Sequence, residues 1–247
     1  MSDTILFIFE GERTEKRLVD NLRQHFLNED DTIIYATFNT HIYKLYQEIE
    51  GYDDENVDTV EVLLDVLRAK KTNTAHLADV SRRSVSQVYL FFDYDGHDTS
   101  ASDEVISKML AHFDDESENG KLYISYPMVE AIKHIHQDVG FETVCVEAKT
   151  NVGYKALVSN NCDPGYNQVG RYTKEQWQTL IGEHCKKLHY LMSAQFTLPT
   201  QYFAQDEIFD KQLTNHITPH NLVAVLSAFP VLIVDYYGAD ALRDLLT

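Results

Sequence analysis

The sequence predicts an α/β fold in which a Rossmann-like parallel sheet is flanked by helices. Short apolar runs such as Thr4–Phe9 and Val88–Phe92 lack the alternation of half-exposed strands, which is typical of buried parallel strands. Segments with apolar residues at helical spacing separate these runs, and such alternation of strands and helices indicates an α/β domain. We expect the sheet domain over residues 1–150, a helical insertion at about 41–84, and a mostly helical C-terminal region over 151–247.

The first half of the sheet domain follows from local patterns. Thr4–Phe9 predicts a strand, and the Glu10-Gly11 turn leads into a helix over Thr14–Leu27, with Thr14 as its N-cap. A polar turn at 28–31 precedes a second strand over 32–38. A short helix is expected over 42–49, a polar break over 52–56, and one long or two short amphipathic helices over 57–84.

The second half begins with the central strand, Val88 to Asp93. A helix is expected over 105–113, a loop over 114–120 and a strand over 122–126. Pro127 suits the first turn of a further helix that runs to Ile135. Residues 141–147 predict one more strand, and helices are expected over 174–195, 206–215 and 219–237.

Acidic residues follow two of the predicted strands. Asp93 and Asp95 end the central strand, and if the chain stays extended there, their side chains point the same way. Glu10 ends the first strand; if the two strands are neighbours, about 4.8 Å separates them. Three carboxylates at the carboxyl edge of a sheet can hold one or two Mg²⁺ or Mn²⁺ ions. The alternative is that Asp-Tyr-Asp-Gly is only a turn.

These motifs resemble the TOPRIM domain of topoisomerases, primases and related nucleases, over roughly residues 4–127. That family has Glu-Gly after its first strand and Asp-x-Asp after a later one, matched here by Glu10-Gly11 and by Asp93-Tyr-Asp95. The Glu-Gly-x-x-Thr-Glu form is similar to RloB-like proteins and to the TOPRIM part of overcoming-lysogenisation-defect nucleases. In those proteins a Pro-x-x-Glu segment follows the last strand, as Pro127 to Glu130 does here.

The resemblance implies a Mg²⁺-dependent nuclease, the effector of an anti-phage defence system with a partner ATPase. It implies that Glu10 is a metal ligand or general acid/base and that Asp93 and Asp95 are metal ligands. Glu15 and Glu130 are further ligand candidates. Asp98 departs from the family spacing, and no catalytic lysine is placed, since Lys133 and Lys155 are only the nearest basic residues. DNA, RNA and tRNA all remain open as substrates.

Two other functions compete. Asp93-Tyr-Asp95-Gly-His-Asp-Thr also resembles the first motif of haloacid-dehalogenase-type phosphatases, in which the first Asp is a nucleophile and the second a general acid. That family needs a later paired-Asp motif, for which the segment from Asp235 to Asp240 has the wrong form. A non-catalytic regulatory subunit that docks a partner by its acidic surface is the other alternative.

Composition bears on compartment and partners. The three cysteines have no metal-ligand spacing, and the start of the chain lacks a signal-peptide pattern, so we expect a cytoplasmic protein. The net charge is −18, from 21 basic and 39 acidic residues, and should repel nucleic acid as a whole. We therefore expect a metal, local basic patches or a basic partner to offset the repulsion. The two candidate patches are Arg13, Lys16, Arg17 and Arg23, and Arg68, Lys70, Lys71, Arg82 and Arg83.

Overall fold

The main sheet has five strands and is mostly parallel. The computed structural model describes residues 4–27, 31–50, 58–71, 73, 75–135 and 140–246. Its strands are β1 (Thr4–Phe9), β2 (Thr32–Thr37), β3 (Gln87–Asp93), β4 (Asp114–Asp115) and β5 (Gly120–Ser125), with β6 (Cys145–Glu147) and β7 (Leu222–Ala224) in a second sheet. The main order is β2-β1-β3-β5-β4, and only β4 is antiparallel. The predicted α/β class is confirmed, and β1 and β3 are central neighbours.

Helices flank this sheet along the whole chain. They are α1 (Thr14–Phe26), α2 (Ile42–Glu50), α3 (Thr59–Arg68), α4 (Asp103–His112), α5 (Tyr154–Asn161), α6 (Lys174–Ser193), α7 (Gln205–Gln212), α8 (Thr218–His220), α9 (Ala228–Tyr237) and α10 (Ala239–Leu245). Within the described residues, no helix is long and apolar enough to cross a membrane. The predicted polar turn at 28–31 lies mostly, and the break at 52–56 wholly, outside the described residues.

The first helix begins one residue earlier than the N-cap prediction requires. Arg13 is the N-cap, Thr14 is the first helical residue, and no side chain caps this end. The Glu15 carboxylate instead accepts a hydrogen bond from the Gly11 backbone N–H at 3.2 Å. The prediction of Thr14 as the cap is therefore wrong, because Glu15 reaches back over the turn that Gly11 makes.

The segment before the central strand contains one helix and then a series of turns. Asp58 caps α3 by accepting hydrogen bonds from the backbone N–H groups of Val60 and Glu61. The helix ends at Arg68, and the buried Leu77 lies in a turn rather than in a second helix. The Asn73 side chain bonds to the backbone N–H and C=O of Thr37, which ties these turns to the end of β2.

Two predictions after β5 are wrong. The helix expected from Pro127 is a short 3-10 turn, Val129–Lys133, because the Pro127 carbonyl accepts hydrogen bonds from the backbone N–H groups of Tyr94 and Asp95. The strand expected over 141–147 is shortened to β6, which pairs antiparallel with β7 and not with the main sheet. The loop expected at 114–120 likewise contains the two residues of β4.

The C-terminal region is mostly helical, as predicted, but it differs in two places. The helix expected over 219–237 is split into α8 and α9 by β7. The backbone of β7 forms the hydrogen bonds of an antiparallel pair with β6, so it cannot be helical. The helix α5 precedes the first one predicted in this region.

The aromatic face of the sheet packs against the C-terminal region. The Phe91 ring of β3 stacks on Phe229 of α9, with centroids 4.8 Å apart and planes 5° apart. Phe7 and Tyr123 stack on the same Phe91 ring from the neighbouring strands. Asn21 of α1 accepts hydrogen bonds from the Trp177 indole and from the backbone N–H of Tyr172. These contacts place the sheet and the C-terminal helices in one hydrophobic core.

Candidate active site

Glu10 and Asp93 meet at the carboxyl ends of the two central strands. Asp93 is the last residue of β3, and Glu10 follows β1 directly, with its backbone N–H bonded to the Phe91 carbonyl. The Glu10 Oε2 accepts a hydrogen bond from the Asp93 backbone N–H at 3.1 Å. The predicted neighbourhood of these two residues therefore occurs, and it is made by the parallel pairing of β1 with β3.

Three more acidic residues among those described line the same concavity: Glu12, Glu15 and Glu130. Glu15 approaches from the first turn of α1, and Glu130 from the 3-10 turn after β5. Together with Glu10, Asp93 and Lys155 they line a concavity of about 460 Å³, which we call the carboxylate cleft. Glu130 is 5% exposed, and its Oε2 has no hydrogen-bond partner among the described residues.

Gly11 is suited to the floor of the carboxylate cleft because it lacks a side chain. A Cβ at this position would lie 3.1 Å from both carboxylate oxygens of Glu15. The Gly11 N–H also donates to Glu15, so a bulkier residue would displace the acceptor of that hydrogen bond. The Glu-Gly pair thus keeps the Glu10 and Glu15 carboxylates close to each other.

Asp95 does not extend the line of β3. Its φ is +40°, and the backbone N–H groups of Tyr94 and Asp95 turn towards the Pro127 carbonyl. The expectation that Asp93 and Asp95 point the same way is therefore wrong, because the chain leaves the extended conformation after Asp93. Asp95 lines an adjoining cavity, where its Oδ1 lies 3.8 Å from His97 Nδ1 and has no hydrogen-bond partner among the described residues.

Burial and mutual repulsion raise the pKa values of these acids. Burial raises the pKa of Glu10 to about 8; the hydrogen bond from Asp93 opposes this, while Asp95 and Glu15 add to it. The pKa of Asp93 is raised well above its usual range by burial, then by Glu10 and Glu15. The pKa values of Glu15 and Asp95 are raised as well, first by burial. A cluster of this kind is costly to ionise without a compensating cation.

The donor set of the carboxylate cleft fits a hard divalent ion in its chemistry. Carboxylate oxygens are the ligands that Mg²⁺ prefers, and the unpartnered Glu130 Oε2 has an unused acceptor capacity. In their present positions, however, no three histidine, cysteine or acidic side chains of the described residues converge on one ion position. Binding of an ion here therefore requires the carboxylates to rotate towards it.

Among the described residues, Lys155 is one of two basic residues that line the carboxylate cleft; the other is Arg13. Its Nζ lies 3.4 Å from Glu130 Oε1, and its side chain is 75% exposed. Lys155 lies in the first turn of α5, which follows Gly153, the N-cap, whose left-handed backbone (φ +61°) disfavours residues with a side chain. Lys133, the other lysine considered, is buried and donates to Ser159 and Asn167.

The chain after Asn151 also contributes to the site. Lys155 and the first turn of α5 border the carboxylate cleft. A lysine on a short helix carries no sequence signal of its own. Only the contact with Glu130 reveals it.

Asp98 and Asp235 have structural partners of their own. Asp98 Oδ1 accepts a hydrogen bond from the Ser100 backbone N–H at 2.7 Å, so it closes a local turn. Asp235 of α9 lies 2.7 Å from Lys121 Nζ, at the start of β5, whereas Asp93 pairs with Ser125 at the end of that strand. Asp235 is thus at the opposite end of the sheet from Asp93, which disfavours the phosphatase arrangement.

Searches of protein families, of curated proteins and of solved structures found no match to this chain. The function is therefore inferred from the carboxylate cleft and its surroundings.

The raised pKa of Glu10 leads to a pH-dependent stability. Between about pH 4.5 and 8 the folded protein keeps a proton on Glu10 that the unfolded chain loses, so this group's contribution to stability falls as pH rises. Glu10→Gln removes this titration. We expect the melting temperature of Glu10→Gln minus that of wild type, measured without divalent ions, to increase from pH 5 to pH 8.5. A constant difference would contradict the burial of this carboxyl.

Proposed function

We propose that this protein is a Mg²⁺-dependent nuclease, similar to TOPRIM nucleases, that hydrolyses phosphodiester bonds of DNA or RNA. The observation that carries the proposal is the pairing of Glu10 with Asp93 at adjacent ends of parallel strands, with Glu15 and Glu130 in the same cleft. Ligand sites of open α/β sheets occupy this edge. Asp95 is proposed to join the ligands by rotation from the adjoining wall.

The residues of the carboxylate cleft have separable roles in this proposal. A bound divalent ion activates water and neutralises charge on the phosphate. Glu10 holds or moves a proton, because burial brings its pKa to about 8, near the working pH. Lys155 has an exposed ammonium at the rim of the cleft, where it can contact a phosphate oxygen. In the hydrolysis, the water oxygen bonds to phosphorus, the P–O bond to the leaving oxygen breaks, and that oxygen receives a proton.

Divalent ions are expected to stabilise the folded protein. At an ion concentration ten times the dissociation constant, linkage gives about 1.4 kcal/mol, which corresponds to roughly 3–6 °C for a chain of this size. The double variant Asp93→Asn with Asp95→Asn should lose this rise in melting temperature with Mg²⁺ or Mn²⁺. Equal shifts in wild type and in the double variant would show that the carboxylates are not the metal site.

A cleavage assay separates the nuclease from the phosphatase. Wild type is incubated with Mg²⁺ and either a nucleic acid or a small phosphate monoester, with chelated samples as controls. The nuclease proposal requires chelator-sensitive cleavage of the nucleic acid. Hydrolysis of the monoester alone would favour the phosphatase.

We further propose that the protein acts with a partner, an ATPase of the kind implied for anti-phage defence. Three basic residues of the second candidate patch are already paired with acids: Arg68 with Asp65, Lys70 with Glu48 and Arg82 with Asp58. A net charge of −18 adds a general repulsion of phosphates. A basic partner surface would supply the missing contacts.

The isolated chain is accordingly expected to bind nucleic acid weakly. A gel-shift titration with a short duplex and with tRNA at physiological salt should show weak binding, and cleavage by the chain alone should be slow. Tight binding that resists added salt would show that no partner is needed to capture the substrate.

A further inference from the structure

A second concavity adjoins the carboxylate cleft. This side cavity has a volume of about 480 Å³ and is lined by residues that include Pro127, Met128, Ala148 and Val152, and by the first turn of α5. The two concavities share Met128 and Lys155. The volume lies within the range of about 300–1,000 Å³ that small-molecule sites occupy. A ligand that enters the side cavity therefore lies next to the proposed reaction centre.

The walls of the side cavity suit a flat, uncharged group. Pro127, Met128 and Val152 present apolar surface, and Tyr154, which is 5% exposed, also lines the cavity. Apolar walls of this kind can pack against the flat face of a nucleobase. Because every base has such a face, this contact does not depend on which base is bound.

One polar group on the wall can read the edge of a base. The Asn151 side chain is fixed by its Oδ1, which accepts a hydrogen bond from the Gly153 backbone N–H at 3.0 Å. Its amide nitrogen has no hydrogen-bond partner among the described residues. With its oxygen used in this way, the Asn151 amide offers one donor to an acceptor on the edge of a base.

The charges of the side cavity decide which part of a nucleotide it accepts. The lining contains the carboxylates of Asp95 and Glu147, and His97, whose Nδ1 lies 3.8 Å from Asp95 Oδ1. The two carboxylates disfavour a phosphate there. Glu147 can instead accept a hydrogen bond from the amino group of a base, whereas Asp95 is assigned to the metal ion. The Lys155 ammonium lies on the boundary with the carboxylate cleft, where it favours the phosphate. This division places the base in the side cavity and the phosphate in the cleft.

We propose that the side cavity binds the base of an unpaired nucleotide whose phosphate lies in the carboxylate cleft. This inference rests on the proposed nuclease function and specifies its substrate class. A base inside a duplex cannot enter a cavity unless it leaves its stack, which costs free energy. The preferred substrates are therefore single-stranded or looped nucleic acids, and base-paired segments are cut slowly.

A matched pair of tryptophan variants tests the base site by binding. Ala156 of α5 lines the side cavity and is exposed, so Ala156→Trp fills the cavity without disturbing the core. Asn160 is exposed on the same helix outside the lining, and Asn160→Trp is the control. Calorimetric titrations in Mg²⁺ would use nucleoside 5′-monophosphates and, as a ligand without a base, ribose 5-phosphate.

Wild type should bind at least one nucleoside monophosphate about tenfold more tightly than ribose 5-phosphate, as expected for one stacked base. Ala156→Trp should weaken nucleotide binding by about tenfold and leave ribose 5-phosphate unchanged, while Asn160→Trp should resemble wild type. Equal binding of nucleotides by wild type and Ala156→Trp, or equal binding of both ligands by wild type, would overturn the proposal.

Cleavage assays distinguish this inference from the nuclease proposal itself. Wild type should cut a single-stranded oligonucleotide at least about tenfold faster than its duplex, and Ala156→Trp should lose most of that preference. Base binding without cleavage of any nucleic acid would support the base site and contradict the nuclease assignment. Cleavage that is unaffected by Ala156→Trp would remove the base site and leave the nuclease standing.

Discussion

Glu10→Gln is expected to reduce nuclease activity by at least about a hundredfold, because general acid–base groups contribute about 10²–10⁴-fold to rate. The amide oxygen of glutamine can still accept the hydrogen bond that the Asp93 backbone N–H donates to Glu10. The fold should therefore be kept, while the charge and the transferable proton are lost. The measurement is cleavage of nucleic acid in Mg²⁺ by wild type and variant, with circular dichroism to verify folding.

Glu104→Gln is a suitable control for this experiment. Glu104 lies on α4, its side chain is 77% exposed, and among the described residues it forms an ion pair with Lys108, one helical turn away. Its substitution removes the same charge from the protein without touching the carboxylate cleft, and its activity should equal that of wild type. Full activity of Glu10→Gln would contradict the TOPRIM assignment. It would be compatible with a dehalogenase-type phosphatase, because that enzyme would not need Glu10.

Phe229→Ala is expected to lower the free energy of unfolding by about 3–5 kcal/mol, the usual cost of truncating a buried phenylalanine. Phe229 is 1% exposed and stacks on Phe91 of the central strand. Its loss leaves a cavity between the sheet and α9 that the neighbouring rings of β1 and β5 cannot fill. Urea denaturation of wild type and variant measures the difference.

Phe196→Ala provides the comparison for this stability prediction. Phe196 is only half-buried and contacts Tyr190 edge-on near the end of α6, so its truncation should cost distinctly less than that of Phe229. Comparable losses for the two variants would show that α9 is not part of the core that supports the central strands. The result also matters for the site, because Phe91 belongs to the strand that positions Asp93.

The sequence by itself determined the features that depend on neighbouring residues. The unbroken apolar run of β3 predicts burial on both faces, and every residue from Val88 to Asp93 is buried. The spacing of apolar residues located α1 within one residue of its observed end. The adjacency of Glu10 and Asp93 required one further assumption, that the two most apolar strands are neighbours in a parallel sheet. The parallel pairing of β1 with β3 confirms that assumption.

The tertiary structure alone decided which other groups surround this pair. Asp95 turns away from Asp93 because the backbone N–H groups after β3 bond to the Pro127 carbonyl, a partner that is remote in sequence. Lys155 reaches Glu130 only because α5 packs beside the turn that follows β5. The pairing of β6 with β7 also joins segments that are remote in sequence. Local patterns carry the preferences of a segment, whereas hydrogen bonds between distant segments exist only once the chain has folded.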